Sequence, residues 1–271
     1  MKNKMLAVPY LVWMAVFTII PLAIVFYFAF TDTVTGEATF RNIVLLGQYG
    51  SILFKSAWLA LVSSLLCLII GYPVAYYIAG CSPRKQRFLY MLVMLPMCMS
   101  FLLRTLAWVA LLEDTGIINR FIITLGLRPL PLIRNDGAVI LGMVYNFLPY
   151  MILPLYSVIM KIDPRLIEAA QDLGCNSRQV FGKVVLPLSL PGMISGVTMV
   201  FVPAVSTFYI SQKLGSSGTA LIGDVIESQF KTAYNPNLGA AMSLGLMAVV
   251  FTCIALMNRF SGDDGESMVT V

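Results

Sequence analysis

Residues Asp163-Pro164-Arg165-Leu166-Ile167-Glu168-Ala169-Ala170-Gln171-Asp172-Leu173-Gly174 form a polar island between two apolar runs, residues 138–160 and 189–212. The Asp163 side chain can cap a helix, Pro164 suits the first helical position, and Gly174 suits the left-handed residue that ends one. The stretch predicts a helix of under three turns. Leu166, Ala169, Ala170 and Leu173 recur at helical spacing, while Glu168, Gln171 and Asp172 are polar. The two alanines keep part of that surface low, so the element can enter a groove on a partner and still read as polar to water. Downstream, Ser177 is placed to cap a second short helix that stops before Pro187, where the chain returns to an apolar run.

The surroundings of this island set the fold class. The chain has 271 residues, of which 59% are hydrophobic and 11% charged, against about 25% charged in soluble domains. So many apolar side chains cannot hide inside one water-facing globule; the solvent is lipid. Hydropathy marks six spans, at residues 5–30, 56–79, 88–112, 138–160, 189–212 and 239–258, each near the ~20 residues that cross ~30 Å of hydrocarbon. The expectation is an all-α integral membrane protein with a single domain over residues 1–260, a loop at 161–188 and a short disordered tail at 261–271. Lys2 and Lys4 precede an apolar run too long for a signal-peptide core, which reads as a retained first helix.

With the N-terminus inside, ten basic residues fall on the shorter, inner segments: Lys2, Lys4, Arg84, Lys85, Arg87, Lys161, Arg165, Arg178, Lys183 and Arg259. Seven fall on the longer, outer set: Arg41, Lys55, Arg120, Arg128, Arg134, Lys213 and Lys231. That bias favours both termini and the 161–188 loop in the cytosol. The net charge of +5 is thus a topology signal in short clusters, not a nucleic-acid-binding face.

Composition also excludes chemistry. Histidine is absent, which removes the commonest general base and metal ligand. The five cysteines have no metal or disulfide spacing, so no metal site is expected. No cluster of nucleophiles or carboxylates sits at membrane depth, so no catalytic residue is assigned and an intramembrane enzyme is disfavoured. A secondary transporter lacks paired inverted repeats and an intramembrane acid for proton coupling. Helix breakers do lie inside spans, at Gly71 and Pro73, Pro96, Pro149 and Pro154, and Pro203, where packing or a pathway must satisfy the freed carbonyls.

Glu168-Ala169-Ala170, three residues, Gly174, nine residues, Val184, one residue and Leu186-Pro187 resemble the EAA loop of ATP-binding-cassette importer permeases, with Val184 where isoleucine is usual. The resemblance implies one N-terminal helix plus a five-helix permease core. It also implies that Asp163, Arg165, Glu168, Ala169, Ala170, Asp172 and Gly174 build the helix that docks into a separate ATPase. No glycine, four residues, Gly-Lys-Ser/Thr pattern is present, so ATP and Mg are expected on that partner and no cofactor on this chain. The implied partners are a homologous second permease of the C type, a cytoplasmic ATPase dimer, an extracytoplasmic substrate-binding protein and membrane lipid.

From about residue 88 to 230 the chain also resembles the B-type permeases of spermidine and putrescine importers. Arg104-Thr-Leu-Ala-Trp108, Leu148-Pro-Tyr150, Phe201-Val-Pro-Ala204, Phe208-Tyr-Ile-Ser211 and Leu221-Ile-Gly-Asp-Val-Ile226 carry the likeness. Gln212 and Lys213 depart from the acidic residue that follows the Phe-Tyr segment in that pattern. The implied function is a polyamine importer permease working by alternating access; a permease for an amino-acid derivative, sulfate or an iron complex is the alternative. A polycation needs carboxylates or aromatic faces to replace its hydration. The candidate path residues are therefore Glu113, Asp114, Asp224 and Glu227, with Trp108, Tyr145, Tyr150, Phe208 and Tyr209. Arg104 joins them because an arginine within a span is costly unless it is paired or snorkels.

Overall fold

The computed structural model describes residues 3–32, 36–216 and 218–260; the expected tail at 261–271 lies outside them. Helices and tight turns account for nearly all of these residues, and the only extended pairing among them is an isolated bridge between Thr31 and Ala38. In chain order the helices are α1 (Asn3–Ala29), α2 (Arg41–Leu46), α3 (Gly50–Ala79), α4 (Pro83–Met94), α5 (Phe101–Leu112), α6 (Ile117–Thr124) and α7 (Asp136–Ile159). There follow α8 (Pro164–Asp172), α9 (Ser177–Val180), α10 (Leu186–Leu188), α11 (Leu190–Ser206), α12 (Tyr209–Leu214), α13 (Ile222–Lys231) and α14 (Pro236–Phe260).

Four stretches are individually long and apolar enough to cross a bilayer: Val8–Ala29, Arg41–Ala79, Asp136–Ile159 and Pro236–Met257. Two bent pairs bring the number to six if each crosses as one unit. Here the structure corrects the expected spans. The run expected at 88–112 is broken: Pro83–Cys98 and Phe101–Thr124 meet at 88°. Pro96 opens a 3-10 turn over Leu95–Cys98, and Met99 and Ser100 are extended, so the helical ladder cannot pass. The run expected at 189–212 ends at Ser206, where Thr207 is extended and α12 starts separately. Nor does the second loop helix stop before Pro187. Asn176 caps it in a reciprocal box with Gln179, and it continues through a π segment, Phe181–Val185, into α10, bending 61° into α11 at Ser189.

The core is the mutual packing of α3, α7 and α11. Close approach is set at Met151 of α7. A Cβ on Gly71 of α3 would meet its Cγ at 3.1 Å, and one on Gly196 of α11 would meet its Sδ at 2.7 Å. Without a hydrophobic drive between helices in lipid, such small-residue crossings supply the van der Waals contact that holds a bundle. Polar groups inside find partners within and between helices: Ser63 Oγ donates to Met143 Sδ at 3.3 Å, Asn146 Nδ2 to the Gly142 carbonyl at 2.9 Å, and Tyr72 and Ser189 share a 2.8 Å hydroxyl pair. Helix α1 lies outside this core and packs on α14, where Ala29, Ala240 and Ala241 form a small second cluster. Its outer residues, among them Tyr10, Trp13 and Phe17, are exposed, as a lipid-facing helix requires.

Candidate functional site

The loop between α7 and α11 is built as local rules predict at its first helix. Asp163 Oδ1 accepts from the Arg165 amide at 3.0 Å and Pro164 opens α8. Gly174 ends it at φ +83°, with its amide on the Gln171 carbonyl and the Cys175 amide on the Ala170 carbonyl at 2.8 and 3.0 Å. That double closure is the Schellman arrangement, which needs a left-handed residue where glycine has no Cβ to clash. What α8 leaves uncovered matters most: Leu173 is 86% exposed and Leu166 is also exposed, beside exposed Glu168, Ala169, Gln171 and Asp172. Ile167 turns the other way, into a cavity shared with Tyr76, Ala79, Ile159 and Val185.

The same loop is bolted to the core. Phe181 stands edge-on between Tyr72 and Tyr76 of α3, at ring distances of 5.6 and 5.5 Å, and Val185 is buried. Helix α8 therefore continues from α7, leads through α9 and the π segment into α11, and is held to α3 by one aromatic clamp. A push on α8 is a push on all three core helices.

The candidate path residues divide into separate groups. Trp108 packs edge-on to Tyr145 at 5.4 Å; Phe101 stacks near Phe147 and Tyr209, and Phe147 near Tyr150, in one aromatic belt between α5, α7 and α12. Lys213 Nζ lies 5.8 Å from the Tyr209 ring. Arg104, on α5 between Phe101 and Trp108, is only 6% exposed, and its Nε and Nη1 have no partner. Glu113 and Asp114 are exposed at the end of α5, apart from the belt. Asp224 and Glu227 lie on α13, a helix within the connection between α11 and α14 that packs against α14 and the end of α11. Phe208 borders the same groove as Glu227, with Phe230 and Ser243.

Asp224 Oδ2 accepts from the Leu221 amide at 2.7 Å, its Oδ1 is buried without a partner, and burial lifts its carboxyl above the ordinary 3.8. The bond from Lys231, at 2.6 Å, holds the Glu227 carboxyl below its usual range, and Gln212 donates to it as well. Among the described residues no group of three potential metal ligands comes together.

One feature escaped the sequence. Lys55 Nζ lies 3.2 Å from Asp136 Oδ1 and donates to the Gly218 carbonyl at 3.0 Å, while Thr219 Oγ1 donates to Asp136 Oδ1 at 2.8 Å. Ile222 donates its amide to Ser56 Oγ at 2.8 Å and Arg134 its amide to the Leu214 carbonyl at 2.9 Å. The segment after α12 is thus latched to the starts of α3 and α7, far from α8. The only local hint is that Asn135, at the cap of α7, leaves Asp136 free for a distant partner.

Comparison with known proteins agrees with this geometry. The spermidine/putrescine transport system permease protein PotB of Haemophilus influenzae is 36% identical over 260 residues, 91% of this chain and 90% of that one. The inner membrane ABC transporter permease protein YdcU of Escherichia coli is 31% identical over 87% of this chain and 80% of its own length. A bacterial alginate ABC transporter, solved with an alginate pentasaccharide-bound periplasmic protein, shares the fold at a TM-score of 0.76 and 18% identity, covering 97% of this chain and 94% of that one. The family model for the inner membrane component of binding-protein-dependent transport systems matches residues 71–261. The chain belongs to that family of multi-pass inner-membrane transport components.

Proposed function

We propose that this chain is a permease subunit of an ATP-driven importer of polyamines, forming the passage together with a homologous second permease. A cytoplasmic ABC ATPase dimer carries ATP and Mg, an extracytoplasmic binding protein delivers the solute, and this chain binds no cofactor and catalyses nothing itself. Both termini and α8 face the cytosol, in line with the ten-to-seven distribution of basic residues. Polyamine as solute is supported by the 36% identity to PotB over nine-tenths of both chains.

The uncovered face of α8 carries the mechanism. Its exposed Leu166 and Leu173 await a groove, and Glu168 and Asp172 rim it with negative charge. Nucleotide binding moves the ATPase groove; α8 moves with it; α7 and α11 follow directly and α3 through Phe181. The bundle then rocks between outward-open and inward-open arrangements, with ATP shifting the population. Because acids are scarce along the spans, the passage binds solute weakly and recognition lies mainly in the binding protein. Measuring affinity of the permease pair alone tests this, and tight binding there refutes it.

Uptake of radiolabelled spermidine by the reconstituted complex is the direct test. Glu168→Lys is expected to abolish ATP-dependent uptake while leaving membrane insertion intact, since it sets a cation at the docking rim; normal uptake would remove α8 from the coupling role. A second reading, a different solute, is favoured by two cations beside the aromatic belt, Arg104 and Lys213. Competition with amino-acid derivatives, sulfate and chelated iron separates the two.

A further inference from the structure

The end of the bundle that carries α8 holds a second feature that coupling leaves unused. Between α4 and the end of α7 lies an open cavity of about 430 Å³, lined by Gln86, Arg87, Tyr90, Tyr156, Ser157 and Met160. Among the described residues no acidic side chain lines it. Arg84, Lys85 and Arg87, all exposed within the first turns of α4, make no ion pair among the described residues. The nearest acid in sequence to the α7 side, Asp163, is committed to capping α8.

The cavity is held in shape by the fold. Gln86 Nε2 donates to the Ala79 carbonyl at 2.9 Å and ties α4 to the end of α3, and Tyr90 rests on Tyr156 with ring centroids 5.5 Å apart. Along α4 the exposed side chains then change character. Arg84 and Arg87 give way to exposed Phe88, Met91, Leu92 and Leu95, which follow at helical spacing. Around α4 the helical register sets the hydroxyl-lined hollow on one side, then the unpaired Arg87 and Arg84, and then the apolar stripe that begins at Met91.

We propose that this groove binds an anionic phospholipid. Its phosphodiester sits at Arg87 with Arg84 one turn before it, Lys85 adds its charge from the far side of α4, its polar head reaches the hydroxyls of Ser157, Tyr90 and Tyr156, and its acyl chains lie along Met91, Phe88 and Leu95. A free anion would use the cations but not the stripe; a zwitterionic lipid would use the stripe, but its own head-group cation offsets the attraction of the three cations for its phosphate. The proposal rests on the importer reading only in placing this end at the cytosolic leaflet.

The test uses the assembled transporter in mild detergent, with phosphatidylglycerol, phosphatidylcholine and inorganic phosphate as probes, and reads retained lipid by native mass spectrometry. The expected result is selective retention of phosphatidylglycerol that millimolar phosphate does not displace. Neutralising each cation lowers affinity about five-fold, so the triple variant Arg84→Gln, Lys85→Gln, Arg87→Gln loses retention. These charges also help to set topology, so Ser157→Trp, which fills the hollow and keeps every charge, serves as the second variant and is likewise expected to lose the lipid. Equal retention of both lipids, displacement by phosphate, or unchanged retention in Ser157→Trp overturns the site. So does loss of the ATPase instead of the lipid in the triple variant, which marks a protein-docking surface. Lipid retention is read whether or not the complex transports, so failure of the site and failure of the importer reading are distinguishable.

Discussion

Gly174 shows how much one residue can carry. Its φ of +83° costs a β-carbon-bearing residue about 1–2 kcal/mol, and two amide bonds close α8 around it. Gly174→Val is expected to insert normally but to uncouple ATP hydrolysis from uptake, whereas Gly174→Asn, which tolerates the left-handed region, keeps most coupling. The ratio of ATP hydrolysed to solute imported checks both. Asp224 offers a pH test. Burial raises its carboxyl above 3.8 in the folded protein, so between its unfolded and folded values the native state binds more protons and stability falls as pH rises. Melting curves of the detergent-solubilised protein across that acidic range are expected to show this fall in the native sequence and to lose that component in Asp224→Asn. A fall of equal size in Asp224→Asn would assign the effect to other groups.

Among the elements, the α3–α7–α11 crossing and the Phe181 clamp are the two most exposed to mutation. Gly196→Leu drives a side chain into Met151 and is expected to cost about 1–3 kcal/mol, with Met151→Ala in the same chain recovering part of the loss. Thermal unfolding of the native chain, the two single variants and the double variant closes the cycle; additive losses would place the two residues out of contact. Phe181→Ala leaves α8 attached to α7 and α11 but removes the aromatic clamp on α3, leaving the Tyr72–Ser189 hydroxyl pair, and is expected to lower uptake per ATP with little change in ATP hydrolysis. The elements also show where sequence reading succeeds. Asp163, Pro164 and Gly174 were legible because capping depends on neighbours within one turn. Pro96 and Pro203 marked breakers inside their spans, but the breaks fall three and four residues later, at Met99–Ser100 and Thr207–Phe208, and a hydropathy window averages across them. The cap of α9 was expected at Ser177 and lies one residue earlier, at Asn176; Gln179, three residues after Asn176, is the signal that decides it.

For the whole molecule, two ends act on one bundle: α8 at one, the Lys55–Asp136–Gly218 latch at the other. That latch joins residues 81 and 163 positions apart, which no local rule could anticipate. Both side chains are partly exposed, so the ion pair itself contributes only ~0–1 kcal/mol. Lys55→Gln is therefore expected to leave the melting temperature almost unchanged while making the segment between α12 and α13 more sensitive to protease. Protection equal to the native chain would mean that Ser56 and Arg134 hold the segment alone.

Helix α1 touches the rest of the molecule chiefly along α14, and the family match begins only at Gly71. The polar ties of α1 lie at its far end, where Asn42 Nδ2 donates to the Ala29 and Thr31 carbonyls. Grafting an unrelated apolar helix of equal length, with Ala29 and its neighbours at the seam retained, is expected to give a chimaera that still assembles and transports; one that inserts but fails to assemble would make the seam with α14 specific to this sequence.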